Sequence, residues 1–173
     1  PNEGYSALPK IYWCWDEYSA NVINKWAKNN ANYLVSVIGN PWVDYWKAKS
    51  KTYKYDNYIL YSLQPNPFTL EQLFSPKVIE LIKHSNLLWM IRLHPRQLHQ
   101  IEEIMTFLKS TGVFDKVNIN EATNDPLPVV LSNAKLHITH CSGTALEASY
   151  FNLRTVLINE IGPKYYPHLV KNN

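Results

Sequence analysis

The feature that most constrains this chain is the regular alternation of short apolar runs with helix-like segments, joined by links of a few residues. Lys10 to Trp15 reads as a strand, Ser19 to Lys28 as a helix, and Tyr33 to Ile38 as a second strand. Tyr58 to Leu63 is a third, and Ser75-Pro76 opens a helix through about Lys83, with proline in the first turn where its missing N–H costs nothing. Leu87 to Leu93 is apolar throughout except at Arg92, as expected of a strand buried on both faces of a parallel sheet. After His94-Pro95-Arg96, residues Leu98, Ile101, Ile104, Met105 and Leu108 keep helical spacing up to a stop at Gly112. Val117 to Ile119 reads as a short strand, and Asp125-Pro126 and Pro128 bracket a brief helix. Leu136 to Thr139 is a strand, Thr144 to Phe151 a helix, Thr155 to Ile158 a strand, and Lys164 to Val170 a last helical turn or two. This order predicts an α/β fold with a doubly wound, mostly parallel, Rossmann-like sheet. At 173 residues the chain fits a single domain spanning 1–173.

The residues with chemistry fall just after the predicted strands. Ser142-Gly143-Thr144 lies between an apolar strand and a helix, where unpaired backbone N–H groups and the positive end of a helix dipole face an anion. The same triplet also reads as an ordinary helix cap. Glu147, one turn further on, is placed to accept hydrogen bonds from the sugar hydroxyls of a nucleotide whose phosphates rest on the turn. At His94-Pro95-Arg96 the proline fixes the chain where a strand ends, so that His94 or Arg96 can meet a phosphate. Gly39-Asn40-Pro41, Gln64 and Asn159-Glu160 also follow strands. In one parallel sheet all of these share the carboxyl edge, where ligands of open α/β folds bind.

Other chemistries find less support. His137 and His140 stand three apart in a strand and point to opposite faces. His94 and His99 lack the i, i+4 spacing of two ligands on one helix face, so no protein-held metal is predicted. The two cysteines, Cys14 and Cys141, have no metal or redox spacing and read as reduced and buried. Tyr165, Tyr166 and the six tryptophans are assigned to core and inter-domain packing, because no nucleic-acid motif accompanies them. A net charge of +3 is mild. The basic run Lys47 to Lys54 reads as a solvated loop, with contact to an anionic partner such as a membrane surface as its other reading. No segment is long and apolar enough to span a membrane, and no signal peptide is visible.

With Leu93-His94-Pro95-Arg96 and the segment from His140 to Ala148 on successive strand ends, the chain resembles the C-terminal, donor-binding domain of a GT-B glycosyltransferase. It is similar in particular to bacterial capsule and surface-polysaccharide transferases, including sialyl- and polysialyltransferase-like enzymes with an HP motif and a later Ser/Thr motif. The Ser142-Gly143 to Glu147 spacing also resembles the UDP-binding segment of UDP-N-acetylglucosamine 2-epimerases. The resemblance implies that His94, Pro95 and Arg96 meet the donor phosphate or ribose, that Ser142, Gly143 and Thr144 bind phosphates, and that Glu147 holds ribose hydroxyls. Gly39, Asn40, Gln64 and Glu160 would line the cleft. It further implies a nucleotide-sugar donor (CMP-, UDP-, GDP- or TDP-linked) and a glycan or lipid-linked acceptor carried by an N-terminal domain that also supplies the catalytic base. No cofactor, metal or nucleic acid is implied, and the location is cytoplasmic, at or near the inner membrane face. Departures from the pattern are Asn152-Leu153-Arg154 before the last strand and Thr155 where many relatives have proline. The start at Pro1 and the stop soon after a helix are those expected of a piece of a larger two-domain enzyme. The alternative functions are a nucleotide-sugar 2-epimerase domain and a non-catalytic nucleotide-binding module.

Overall fold

The computed structural model describes residues 9–27, 33–49, 53–65 and 67–170. It divides into two compact units, Pro1–Asp44 and Tyr45–Asn173.

In the first unit, strand β1 (Ile11–Cys14), helix α1 (Glu17–Ala27) and strand β2 (Leu34–Val37) form a β-α-β turn. β1 and β2 pair in parallel, with Cys14 opposite Val37. Gly39 follows in the left-handed region at φ 73°, and Asn40 caps α2 (Pro41–Lys49) by accepting the Trp42 N–H at 3.1 Å. The basic run was expected as a loop, yet its first half is the end of α2, because Asn40-Pro41 is a cap followed by a proline at the first helical position. Residues 50–52 of that run lie outside the described residues.

The second unit carries a five-stranded parallel sheet in the order β5-β4-β3-β6-β7. Its strands are β3 (Tyr58–Ser62), β4 (Trp89–Arg92), β5 (Val117–Asn118), β6 (Ala134–Thr139) and β7 (Thr155–Leu157). Between them run α3 (Leu70–Leu73), α4 (Pro76–His84), α5 (Ile101–Ser110), α6 (Asn120–Asn124), α7 (Leu127–Asn133) and α8 (Thr144–Ser149), and α9 (Ile161–Tyr165) and α10 (Pro167–Val170) follow β7. The chain builds β3, β4 and β5 outward on one side, then returns to the other side of β3 for β6 and β7. That reversal is the switch point of a doubly wound sheet.

Alternation along the central strands explains the unbroken apolar runs. Tyr61, Leu63, Trp89, Ile91 and Leu93 pack with Val78, Ile82, Ile104 and Leu108 on one face. Tyr58, Leu60 and Met90 pack with Val130, Leu131 and Ala148 on the other. A strand buried on both faces must be apolar at every position, whereas one open to water on one side alternates. Gly112, at φ 71°, ends α5 in the left-handed region, and the Val113 N–H closes the turn on the Leu108 carbonyl at 3.2 Å.

A polar string crosses the buried sheet. The His137 ring bonds Thr155 Oγ1 through Nδ1 at 3.0 Å and Ser62 Oγ through Nε2 at 3.1 Å. Thr139 Oγ1 donates to the Ser62 carbonyl at 2.9 Å. Strands β7, β6 and β3 are thus tied side by side beneath the carboxyl edge. Burial holds His137 neutral and lowers its pKa to about 3.

The structure corrects one sequence expectation. Gly39 and Asn40 follow a strand of the two-stranded sheet, so they do not share the edge of the five-stranded one; the sequence shows where strands end and not which sheet they join. The six tryptophans divide, with Trp89 in the buried core and Trp13 72% exposed. Bulk and apolarity alone do not assign a ring to an interior.

A candidate nucleotide site at the carboxyl edge

The register fixes the geometry of the edge. Ser62 stands opposite Arg92 on one side and Thr139 on the other. The ends of β4 and β6 therefore lie about 10 Å apart, two strand spacings, with β3 between them. The switch point lies at β3, between the segments that leave β4 and β6.

The turn after β6 is held from below. Thr139 Oγ1 accepts the Ser142 N–H at 3.2 Å, and Ser142 Oγ accepts the Thr144 N–H at 3.3 Å and lies 3.1 Å from Thr144 Oγ1. Gln64 Oε1 accepts from the Cys141 thiol at 3.2 Å, and the Tyr166 hydroxyl donates to the Cys141 carbonyl at 3.2 Å. Gly162 packs so closely that a Cβ there would stand 2.5 Å from the His140 carbonyl oxygen. Ser142 thus closes a local turn ahead of α8, whose N-cap is Gly143, and the Gly143 N–H makes no hydrogen bond among the described residues. Gly143 has helical φ −56° and ψ −19°, so backbone strain does not require a glycine. A side chain there would stand between the turn and the Tyr166 hydroxyl, 3.9 Å from the position of a Cβ.

Glu147 lies in α8, half-buried, and its carboxylate makes no hydrogen bond among the described residues. Burial raises its pKa, and the charge of Arg92 opposes the rise. Arg92, at the end of β4, donates through Nη1 to the carbonyls of Ala122 at 2.6 Å and Asp125 at 2.8 Å. Sequence reasoning passed over Arg92 as an exception in an apolar run. A lone cation near the end of a doubly buried strand was the available signal, because such a charge needs partners.

His94 caps the 3-10 segment Pro95–Gln100. Its Nδ1 accepts the Arg96 N–H at 3.1 Å, and its own N–H donates to Gln97 Oε1 at 3.2 Å. The ring is therefore neutral with its proton on Nε2, since a proton on Nδ1 would meet the Arg96 N–H. Burial and then the nearby Arg96 charge lower its pKa. The sequence allowed a cationic His94, and this geometry makes it a neutral N–H donor. Arg96 is exposed. Glu160 is exposed before α9, where Asn159 Oδ1 accepts the Ile161 N–H at 2.8 Å.

His94→Ala is expected to remove the cap, at about 1 kcal/mol of stability, and to weaken phosphate binding by about tenfold. Because the neutral ring donates, the ratio between wild type and variant should not grow from pH 8 to pH 6. Titration with a nucleoside diphosphate at both values checks this, and a ratio several-fold larger at pH 6 would mean that the imidazolium form makes the contact.

The remaining expected features are placed as follows. His137 and His140 are held apart, His140 bonding the Tyr61 hydroxyl through Nε2 at 3.1 Å. Among the described residues no group of three His, Cys, Asp or Glu side chains is arranged to hold a metal, and no helix is long and apolar enough to cross a membrane. Both cysteines are free and buried. In the basic run Lys47 reaches the Tyr150 carbonyl at 3.4 Å, Lys49 lies over the Tyr45 ring, and Lys54 pairs with Glu121 at 2.8 Å. Tyr165 is 68% exposed, while Tyr166 is half-buried against the turn.

Neither a family model nor a curated protein matches the sequence. Solved structures do match. The UDP-GlcNAc 2-epimerase of Methanocaldococcus jannaschii, in complex with UDP-GlcNAc and UDP, aligns over 91% of this chain and 48% of its own at 20% identity, with a TM-score of 0.57. The wall teichoic acid polymerase TagF aligns over 95% of this chain and 43% of its own at 12% identity and a TM-score of 0.59. The UDP-N-acetylglucosamine 2-epimerase of Rickettsia bellii covers 87% and 42% at 21% identity and 0.58. All of these are GT-B folds. The chain has the fold of one half of a GT-B structure. It spans less than half the length of each of these proteins. Polar residues of the second unit lie at the carboxyl ends of β3, β4 and β6, the edge at which open α/β folds generally bind ligands.

Proposed function

We propose that the second unit binds the nucleotide of an activated sugar, as the donor half of a GT-B glycosyltransferase acting in polysaccharide or glycoconjugate synthesis. The observation that carries this reading is Glu147: a half-buried carboxylate with no internal hydrogen bond, one turn beyond an unpaired Gly143 N–H. Partial burial already costs the charged form, as its raised pKa shows, and a ligand with hydroxyl donors offsets that cost. The ribose would meet Glu147, and the phosphates would meet the Gly143 N–H, the Thr144 hydroxyl and the His94 Nε2–H. As the glycosidic bond to the departing nucleotide breaks, negative charge grows on its phosphate. Neutral donors oriented in advance, with Arg96 nearby, receive that charge without a metal. The acceptor and the base that activates it belong to the rest of the protein.

The test is calorimetric titration of the chain with CMP, UDP, GDP and TDP in excess EDTA. At least one should bind better than inorganic phosphate by tenfold or more. Equal, millimolar binding of all four and of phosphate would sink the reading.

A further inference from the structure

A separate cavity of about 230 Å³ opens beside the site, between the segment that leaves β3 and the 3-10 segment that leaves β4. Its walls include Phe68, Glu71, Gln97, Gln100 and Glu103. Two of these residues also support the nucleotide site. Gln97 holds the His94 N–H through Oε1 at 3.2 Å, and Phe68 packs on the His140 ring with centroids 4.3 Å apart.

Gln97 makes the cavity more than a surface dent. The residue is only 2% exposed, and its amide NH2 donates to no acceptor among the described residues. The amide nitrogen keeps access to the cavity that Gln97 lines, so an acceptor that enters can meet it. Glu71 and Glu103 stand at the rim, both exposed and forming no salt bridge among the described residues. Hydrogen bonds from its own backbone N–H and from Thr69 hold the Glu71 carboxyl below the usual range, so it is charged. The cavity therefore offers the amide donors of Gln97 and half-buried Gln100, carboxylate acceptors and one aromatic wall. Its volume is below the roughly 300 Å³ at which pockets for drug-sized ligands begin, which suits one small ring.

We propose that this cavity binds a neutral sugar ring, the hexose of the nucleotide donor, and disfavours a hexose that carries a carboxylate. The inference rests on the donor-binding reading above. A hexose presents hydroxyls that both donate and accept, matching Gln97 and Gln100 on one side and the two carboxylates on the other. Its C–H face lies against Phe68. An acidic sugar would bring a negative charge beside Glu71 and Glu103, and like charges in a partly enclosed site repel.

The experiment compares UDP, UDP-glucose and UDP-glucuronic acid by calorimetry on the whole chain, in wild type and in Gln100→Ala and Glu103→Lys. UDP-glucose and UDP-glucuronic acid differ only in oxidation at the sugar C6. Wild type should bind UDP-glucose about tenfold more tightly than UDP, with no such gain for UDP-glucuronic acid. Gln100→Ala should reduce the glucose gain several-fold, and Glu103→Lys should raise the affinity for UDP-glucuronic acid, both leaving UDP itself unchanged. Equal binding of the three ligands, or a glucose gain untouched by both variants, overturns the sugar subsite while the nucleotide reading stands. If UDP does not bind but another nucleotide does, the same comparison is run with GDP, GDP-mannose and GDP-mannuronic acid. If no nucleotide binds, both readings fall together.

Discussion

Arg92→Met is expected to lower folding stability by about 1–3 kcal/mol, the range for leaving buried acceptors without a donor. Arg92 Nη1 satisfies the carbonyls of both Ala122 and Asp125, and methionine fills similar space without offering a donor. The change also removes the cation that opposes the rise in the Glu147 pKa. Glu147 should then take up its proton at a higher pH, and nucleotide affinity should begin to fall at a correspondingly higher pH. Urea unfolding measures the first effect and a pH series of nucleotide titrations the second. Arg92→Lys keeps the charge but not the planar fork, so it should lose stability while retaining most of the affinity near neutral pH. A loss below about 1 kcal/mol for Arg92→Met would show that Arg92 is a surface cation, which measured effects at exposed sites rarely exceed.

Acid should weaken the second unit through His137. Its pKa is depressed from 6.5 to about 3 by burial, so below pH 6.5 the unfolded chain takes up a proton that the folded protein does not. The stability associated with the neutral ring is complete above 6.5 and is lost as pH falls towards 3. The linkage relation gives about 2 kcal/mol between pH 8 and pH 5, and about 3 kcal/mol by pH 4. His137→Val should cost stability at pH 8, because Ser62 and Thr155 each lose a partner, and should flatten the acid limb. Denaturant midpoints at several pH values decide it. Wild type and variant with parallel slopes between pH 6.5 and pH 4 would mean that the His137 ring titrates normally in the fold.

Much of the second unit was legible in its sequence for a definite physical reason. Strands buried on both faces carry near-continuous apolar runs, so Tyr58–Ser62 and Trp89–Arg92 are readable from the sequence, and Ser75-Pro76 marks a helix start by chain stereochemistry alone. The short helix Asn120–Asn124 and the turn Leu70–Leu73 were not read, because elements of one turn have no periodicity to detect. Thr69 and Gln72 do form a capping box there, and that spacing was the signal to use. In the site, Ser142, Gly143, Thr144, Glu147 and His94 could be named because each follows a strand. The roles of Arg92 and Tyr166 depend on residues distant in sequence, and one sequence does not show such pairings, whereas Gln97, three residues after His94, forms a capping box that local spacing could have shown. The same limit applies to Gly39 and Asn40. The local cap was readable there, whereas membership of a separate sheet is a property of strand pairing.

The central claim is that Glu147 accepts hydrogen bonds from a nucleotide ribose at the carboxyl edge of the sheet. The most direct measurement is calorimetry with the best-binding ribonucleotide of uridine, cytidine or guanosine and with its 2′,3′-dideoxy counterpart, in wild type and in Glu147→Gln. Wild type should prefer the ribonucleotide by about 1–3 kcal/mol, the range for hydrogen bonds to a charged group, and Glu147→Gln should lose most of that preference with unchanged circular dichroism. A preference for the ribose hydroxyls that survives intact in Glu147→Gln, or its absence in wild type, would contradict the account.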